Sequence, residues 1–160
     1  MSEIDLPDEP RLAEPDAAWH RRQAIEANNS VWDLLDAERD ADGDEELLRR
    51  AYAAAYHWDR AAGRSPANAA RAAYMIAKAQ LAVGQPAPAL GAADRCMALC
   101  AANDLADFDL AYAHEARARA LHALGRVDEA AVAWRAAHDV PIADAEDRAV
   151  LAGDLAVPLG

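Results

Sequence analysis

The sequence predicts an all-α protein built from stacked helical hairpins, and three observations carry this prediction. Alanine, the residue with the highest helix propensity, accounts for 45 of the 160 residues. No run of alternating β-branched residues indicates a strand. Gly43, Gly84 and Gly125 are evenly spaced along the chain. A fixed period of about 20–50 residues is typical of stacked copies of one supersecondary unit.

Hydrophobic spacing and breaker residues predict about seven helices. Their expected ranges are 16–39, 45–62, 67–83, 85–102, 109–124, 127–139 and 145–156. We expect the first turn at residues 40–44, around Gly43. Residues 103–109 form a longer connection, in which Leu105 and Phe108 indicate packing.

Start signals support several of these helices. Asp16 and Asp144 are candidate N-caps, and Ser65 followed by Pro66 is an N-cap with proline at the first helical position. Residues 1–15 hold three prolines among acidic residues, so we expect a disordered acidic arm. The domain then consists of three hairpins over residues 16–141, and residues 142–160 form a capping helix and tail that cover the end of the stack.

The hairpin around Gly125 resembles a tetratricopeptide repeat. The matching positions are Ala118, Leu121, Gly125, Asp128, Glu129, Ala130, Trp134, Ala137 and Pro141. The match is partial around Gly84 and weaker around Gly43, and the period is longer than the roughly 34 residues of that family. Over residues 29–141, the resemblance implies a right-handed superhelical stack of antiparallel helix hairpins, a TPR-like α-solenoid, with a concave face lined by the first helix of each pair.

The register of that family implies which residues face the concave side. They are Ser30, Asp33 and Ala37 on the first helix, Arg71, Tyr74 and Lys78 on the third, and Tyr112, Glu115, Arg119 and His122 on the fifth. One interpretation is a peptide-binding groove in which three basic residues receive an acidic or carboxylate-bearing peptide beside the two tyrosines. These basic residues are Arg71, Lys78 and Arg119. The alternative is a solvated helix face, on which Glu115 and Arg119 form an ordinary i, i+4 ion pair. The family's lysine and asparagine clamp for carboxylates is missing at the matching positions.

Charge and targeting signals restrict the classes of partner and the cellular location that we expect. The formal net charge is −12, which disfavours nucleic acid and anionic membranes as partners. No segment approaches 18 uninterrupted apolar residues, and the start has no basic and apolar leader pattern. Cys96 and Cys100 imply no disulfide framework. We therefore expect a cytoplasmic protein.

Catalytic and metal-binding signals are weak in this chain. His114 and His122 are two helical turns apart, too far to chelate one ion unaided, and no His-Glu-x-x-His motif exists. Cys96 occupies a position that favours a small residue. We expect no cofactor, no metal and no enzymatic activity. The residues 56–60 (Tyr-His-Trp-Asp-Arg) form the densest cluster of functional side chains, and we interpret it as packing between repeats.

The function predicted from the sequence is non-catalytic binding of a protein or peptide segment. Two alternatives stay open. The chain is a homodimeric assembly module, or it is a small-molecule sensor or metal-dependent helical enzyme that uses His57, His114 or His122 with nearby carboxylates.

Overall fold

A computed structural model describes residues 16–160, and all regular structure in this range is helical. The helices are α1 (Ala17–Asp36), α2 (Ala41–Trp58), α3 (Pro66–Ala82), α4 (Pro86–Ala102), α5 (Asp107–Ala123), α6 (Val127–Asp139) and α7 (Ala145–Leu155). The all-helical fold and the number of helices are therefore confirmed for residues 16–160. The acidic arm expected at residues 1–15 lies outside the described residues.

Local capping explains where several helices begin. The carboxylate of Asp16 accepts the backbone N–H of Trp19 at 2.6 Å, and that of Asp144 accepts two N–H groups in the first turn of α7. At α3, the N–H of Ser65 donates to Oδ1 of Asn68, and Pro66 takes the first helical position. All three predicted helix starts are confirmed.

The predicted turn around Gly43 is wrong. Asp40 caps α2 by accepting the N–H of Gly43 at 2.9 Å, so the helix begins at Ala41 and Gly43 lies inside its first turn. Arg39 donates to the carbonyls of Leu34 and Leu35 and so closes the end of α1. A capping aspartate and an arginine therefore replace the turn glycine in the first hairpin.

Gly84 and Gly125 are the turn glycines of the other two hairpins. Their φ angles are 75° and 76°, in the left-handed region that glycine adopts without steric cost. The helices that follow them begin at Pro86 and Val127, so these two hairpins keep the spacing of the glycines. The separation from Ala41 to Pro86 is longer than that from Pro86 to Val127, so the first hairpin is out of step with the period.

The connection before α5 is shorter than predicted. The helix begins at Asp107, two residues earlier than Asp109, and a carboxylate oxygen of Asp107 accepts the N–H of Ala143 at 2.9 Å. This bond ties the start of α5 to the segment that leads into α7.

Contacts between helices define a row. The pairs α1–α2, α3–α4 and α5–α6 pack as hairpins joined by short connections, and α2–α3 and α4–α5 also pack. In addition, α1 contacts α3, α3 contacts α5, and α5 contacts α7. The odd-numbered helices therefore form one continuous row along the molecule.

Alanines form the seam between α3, α4 and α5. Ala77, Ala93 and Ala116 are buried together, one from each helix. Because a methyl group adds little bulk, the three helices approach closely, while larger side chains such as Leu47 and Leu121 supply most of the burial per residue. No helix among residues 16–160 has the length and apolar character needed to cross a membrane.

Candidate functional site

A cavity of about 620 Å³ lies along the row of odd-numbered helices, and we call it the groove. Its walls come from α1, α3, α5 and α7, with single contributions from the end of α2 and from α4. The lining residues are Arg21, Ile25, Asn28, Trp32, Trp58, Asn68, Ala70, Arg71, Tyr74, Met75, Cys96, Phe108, Asp109, Tyr112, Val150 and Asp154. Its volume falls within the range of about 300–1,000 Å³ that is common for ligand sites.

Five aromatic rings dominate the walls of the groove. The ring centres of Phe108 and Tyr112 are 4.6 Å apart, and those of Tyr74 and Tyr112 are 5.2 Å apart with a nearly perpendicular orientation. Trp32 and Trp58 extend the aromatic surface toward α1 and α2. Trp32 leaves 41% of its surface exposed although it is a large apolar residue. Such surface is available for an apolar ligand group.

The residues that α1 presents to the groove differ from those predicted. Arg21, Ile25, Asn28 and Trp32 line it, at the i, i+4, i+7, i+11 spacing of one helical face. The residues predicted from the family register do not line it: these are Ser30, Asp33 and Ala37. The hydroxyl of Ser30 donates instead to the carbonyl of Ala27 in its own helix.

The shifted register of α1 has a clear cause. The lining residues of α1 end at Trp32, whereas the predicted set extends to Ala37. The prediction assumed that Gly43 was the turn glycine. Since the first hairpin turns at Ala37–Asp40 instead, every residue of α1 is displaced relative to that assumption.

Seven groove residues were predicted on α3 and α5, and three of them line the groove: Arg71, Tyr74 and Tyr112. Lys78 lies beside it, with its ammonium nitrogen 5.5 Å from the ring centre of Trp32 and 5.9 Å from that of Tyr74. His122 lies beside Gly160: a Cβ atom placed on that glycine would be 2.7 Å from Nε2 of His122. The remaining two, Glu115 and Arg119, are partners of each other.

Two of the three basic residues have acidic partners. Arg71 donates to both carboxylate oxygens of Asp109, at 2.7 and 3.3 Å, and this hydrogen bonding raises the pKa of the Arg71 guanidinium. Arg119 donates to Glu115, which is only 3% exposed. These pairings fix the positions of the Arg71 and Arg119 side chains within the fold. Whether these cations bind an acidic peptide stays a prediction.

Arg119 also holds the C-terminal segment. Its guanidinium donates to the backbone carbonyls of Asp154, Val157 and Pro158. On the same side, the hydroxyl of Tyr112 donates to the carboxylate of Asp154. These contacts hold α7 against α5, so that α7 closes one end of the groove with Val150 and Asp154.

Both tyrosines of the groove remain protonated at neutral pH. Burial, followed by the charge of Glu115, raises the pKa of Tyr74 well above its usual value. Burial and the hydrogen bond to Asp154 raise the pKa of Tyr112. Tyr112 therefore acts as a hydrogen-bond donor, and neither residue supplies a phenolate at neutral pH.

The two thiols are unsuited to nucleophilic chemistry. Cys96 and Cys100 are buried free cysteines, and burial raises the pKa of the Cys96 thiol to about 12. Its Sγ lies 3.2 Å from the carbonyl oxygen of Ala70. Since the thiolate is the reactive form, these side chains behave as small apolar residues.

A histidine pair joins α1 to α2 beside the groove. The Nδ1 atoms of His20 and His57 are 2.8 Å apart, so one donates to the other, and Trp19 packs edge-on against both rings. Desolvation lowers the pKa of His57, and the charges of His20 and Arg60 lower it further. Among residues 16–160, no three metal-ligating side chains converge on one point.

Several groove residues were missed by the sequence reasoning. Trp58 lies in the cluster at 56–60 that we interpreted as packing, yet it lines the groove with Arg21 stacked 5.6 Å from its ring centre. The helical spacing of Arg21, Ile25, Asn28 and Trp32 was readable as one face of α1. Phe108 was missed because α5 begins before the predicted start, and Asp109 was missed because its partner Arg71 lies on another helix.

No protein-family model matches the chain, and no curated protein or solved structure matches it. The side chains of the groove are therefore the basis on which a function is assigned.

Proposed function

We propose that this chain is a non-catalytic scaffold that binds a protein or peptide segment in the groove. The single observation that carries the proposal is the aromatic-lined cavity of about 620 Å³ along the odd-numbered helices. Aromatic side chains contribute large contact areas at low conformational cost and are enriched where proteins bind each other. A TPR-like α-solenoid is the architecture we assign to this scaffold.

Three features support the solenoid. The second and third hairpins repeat at the period of their turn glycines, which adopt the left-handed conformation at the same place in each. Each odd-numbered helix contacts the next one in the row, as expected when hairpins stack on their neighbours. α7 packs on α5 and covers the apolar end that a terminal repeat would expose.

The lining favours a ligand with bulky apolar groups and some negative charge. The rings of Trp32, Trp58 and Phe108 offer apolar contact, whereas Lys78 and Arg21 hold cations over tryptophan rings at the groove edge. The chain as a whole carries a net charge of −12. Against this acidic background, Arg21 and Lys78 are local positive charges that favour an acidic peptide, whereas the lining carboxylates of Asp109 and Asp154 already have Arg71 and Tyr112 as partners.

A peptide display library panned on the full chain tests this function. The diagnostic variant is Ile25→Ser/Trp32→Ser, since both side chains line the groove and are 42% and 41% exposed. The matched control is Val127→Ser/Val132→Ser on α6, where exposed valines (57% and 64%) lie outside the groove lining.

We expect selected peptides to bind the diagnostic variant at least about tenfold more weakly, because losing apolar contacts worth about 1.4 kcal/mol changes affinity tenfold. Binding to the control variant should be unchanged. Peptides that bind both variants equally, or no selected peptides at all, would show that the groove does not bind an outside peptide.

The homodimer remains a separate prediction. The exposed valines of α6, Val127 and Val132, are the observation that favours it, since α6 packs on α5 at the end of the molecule. Light scattering of the control variant described above decides it, because a dimer formed through this face would dissociate.

A further inference from the structure

The groove begins where the described part of the chain begins. Asp16 caps α1, and Arg21 is already part of the groove lining in the second turn of that helix. Residues 1–15 are therefore tethered at one end of the groove. Fifteen residues in extended conformation span about 50 Å. Four helices packed about 8–10 Å apart cover roughly 30 Å, so the segment is long enough to run along the whole row.

The composition of residues 1–15 complements the lining of the groove. The segment carries three large aliphatic side chains, Ile4, Leu6 and Leu12. It also carries five acidic residues and one arginine: Glu3, Asp5, Asp8, Glu9, Glu14 and Arg11. Aliphatic groups match the aromatic walls. The lining carboxylates of Asp109 and Asp154 already accept hydrogen bonds from Arg71 and Tyr112, so the negative charge of the segment matches Arg21 and Lys78.

The prolines determine the backbone conformation in which such a segment would bind. Pro7, Pro10 and Pro15 interrupt any helix, so a docked chain runs extended and leaves its backbone groups available. Asn28 and Asn68 line the groove. The amide of Asn28 carries a donor and an acceptor for a peptide backbone, and Asn68 offers its NH2 group as a donor while its Oδ1 accepts from Ser65. An extended acidic peptide with aliphatic anchors is also the ligand class that the proposed function favours.

We propose that residues 1–15 dock in the groove of their own chain and compete with an outside ligand. This inference rests on the proposed function only in using the same groove. A tethered segment acts at an effective concentration in the millimolar range, so weak contacts are enough to occupy the site. An outside ligand then gains affinity when the segment is displaced or removed.

The test uses a fluorescein-labelled peptide of residues 1–15 and a chain that starts at Asp16. That chain keeps every helix and every buried cluster of the described structure, and its circular dichroism checks that it is folded. Fluorescence anisotropy should show binding that weakens as salt is added. The matched control peptide, Ile4→Ser/Leu6→Ser/Leu12→Ser, has the same charge and should bind at least about tenfold more weakly.

Two protein comparisons complete the test. The Ile25→Ser/Trp32→Ser variant of the shortened chain should bind the peptide at least about tenfold more weakly, whereas Val127→Ser/Val132→Ser should bind it normally. The full chain should bind the added peptide at least about fivefold more weakly than the shortened chain, because its own segment competes. If the shortened chain is unfolded, the full chain with the three serine substitutions at Ile4, Leu6 and Leu12 takes its place.

The outcomes separate this inference from the proposed function. If the peptide fails to bind, or binds regardless of the groove variant, or binds the full chain equally well, docking of residues 1–15 is overturned. Display-selected peptides that depend on the groove would in that case leave the proposed function standing. If the 1–15 peptide binds in the groove but no other peptide is selected, docking of residues 1–15 stands and the proposed binding of outside peptides is overturned. The groove then serves its own chain.

Discussion

The first hairpin and the two that follow it reach the same groove by different means. In the second and third hairpins, a glycine at φ near 75° turns the chain, and the helices repeat at the glycine period. In the first, Asp40 starts α2, Arg39 closes α1, and the offset to the next hairpin is longer. The comparison shows that a stack of hairpins tolerates a change of turn when the helix faces stay in register. Glycine spacing alone does not define that register.

The largest expected effect comes from deleting a buried leucine in either region. Leu47 in the first hairpin and Leu121 in the third are both fully buried. We expect Leu47→Ala and Leu121→Ala each to lower the free energy of unfolding by about 3 kcal/mol, since they lose apolar contact and leave a cavity. Urea unfolding followed by circular dichroism measures both.

The same urea unfolding experiment tests whether the first hairpin unfolds together with the other two. Each variant should shift one common transition, because the hairpins share helix contacts along the row. A variant that produced two separate transitions would show that the first hairpin unfolds independently of the other two.

A smaller effect should distinguish the three glycines. At Gly84 and Gly125, no heavy atom lies within 4 Å of the position that a Cβ would take, so the cost of alanine comes from the left-handed backbone alone, about 1–2 kcal/mol. At Gly43 the added Cβ would lie 3.1 Å from Cβ of Arg39. There, however, alanine also gains about 1 kcal/mol of helix propensity.

We therefore expect Gly84→Ala and Gly125→Ala to lower the melting temperature clearly and Gly43→Ala to change it much less. Thermal unfolding of the three variants under identical conditions measures this order. An equal loss at all three positions would mean that Gly43 also serves as a turn residue.

The smallest expected effect is a pH dependence of the unfolding free energy, to which His57 in the first hairpin contributes. Burial and the charges of His20 and Arg60 lower the pKa of His57 in the folded protein. The unfolded chain then binds a proton more readily than the folded one, so the stability from neutral His57 is present above about pH 6.5. It is lost as the pH falls from there through the lower folded pKa.

His114 in the third hairpin provides the comparison. Desolvation and the nearby Arg117 lower its pKa as well, but no histidine partner contributes to that shift. We expect His57→Asn and His114→Asn each to flatten part of the decline in unfolding free energy between pH 7 and pH 5. If both variants keep the full slope of the unmodified chain, other groups are responsible for it.

Sequence reasoning predicted the helices well because the signals for them are local. Asp16, Ser65 and Asp144 cap helices through contacts within three residues of themselves, which a sequence displays directly. The predicted turn at Gly43 failed for a local reason too. Asp40, three residues before Gly43, caps α2, and this role was not considered when the turn was predicted from the glycine spacing.

The groove was harder to predict because it depends on how helices pack. Arg71 and Tyr74 were predicted from the register of the family that the third hairpin resembles, but Asp109, which pairs with Arg71, lies on another helix. Val150 and Asp154 reach the groove only because α7 folds back onto α5. The spacing of residues within a single helix does not indicate such contacts between helices.

The alanine seam at Ala77, Ala93 and Ala116 has a consequence for how this surface can change. These methyl groups lie between α3, α4 and α5, outside the groove lining. A valine or leucine at one of them would push two of these helices apart and so change the spacing of the groove walls that α3 and α5 supply. The breadth of the groove is thus adjustable from positions that do not line it.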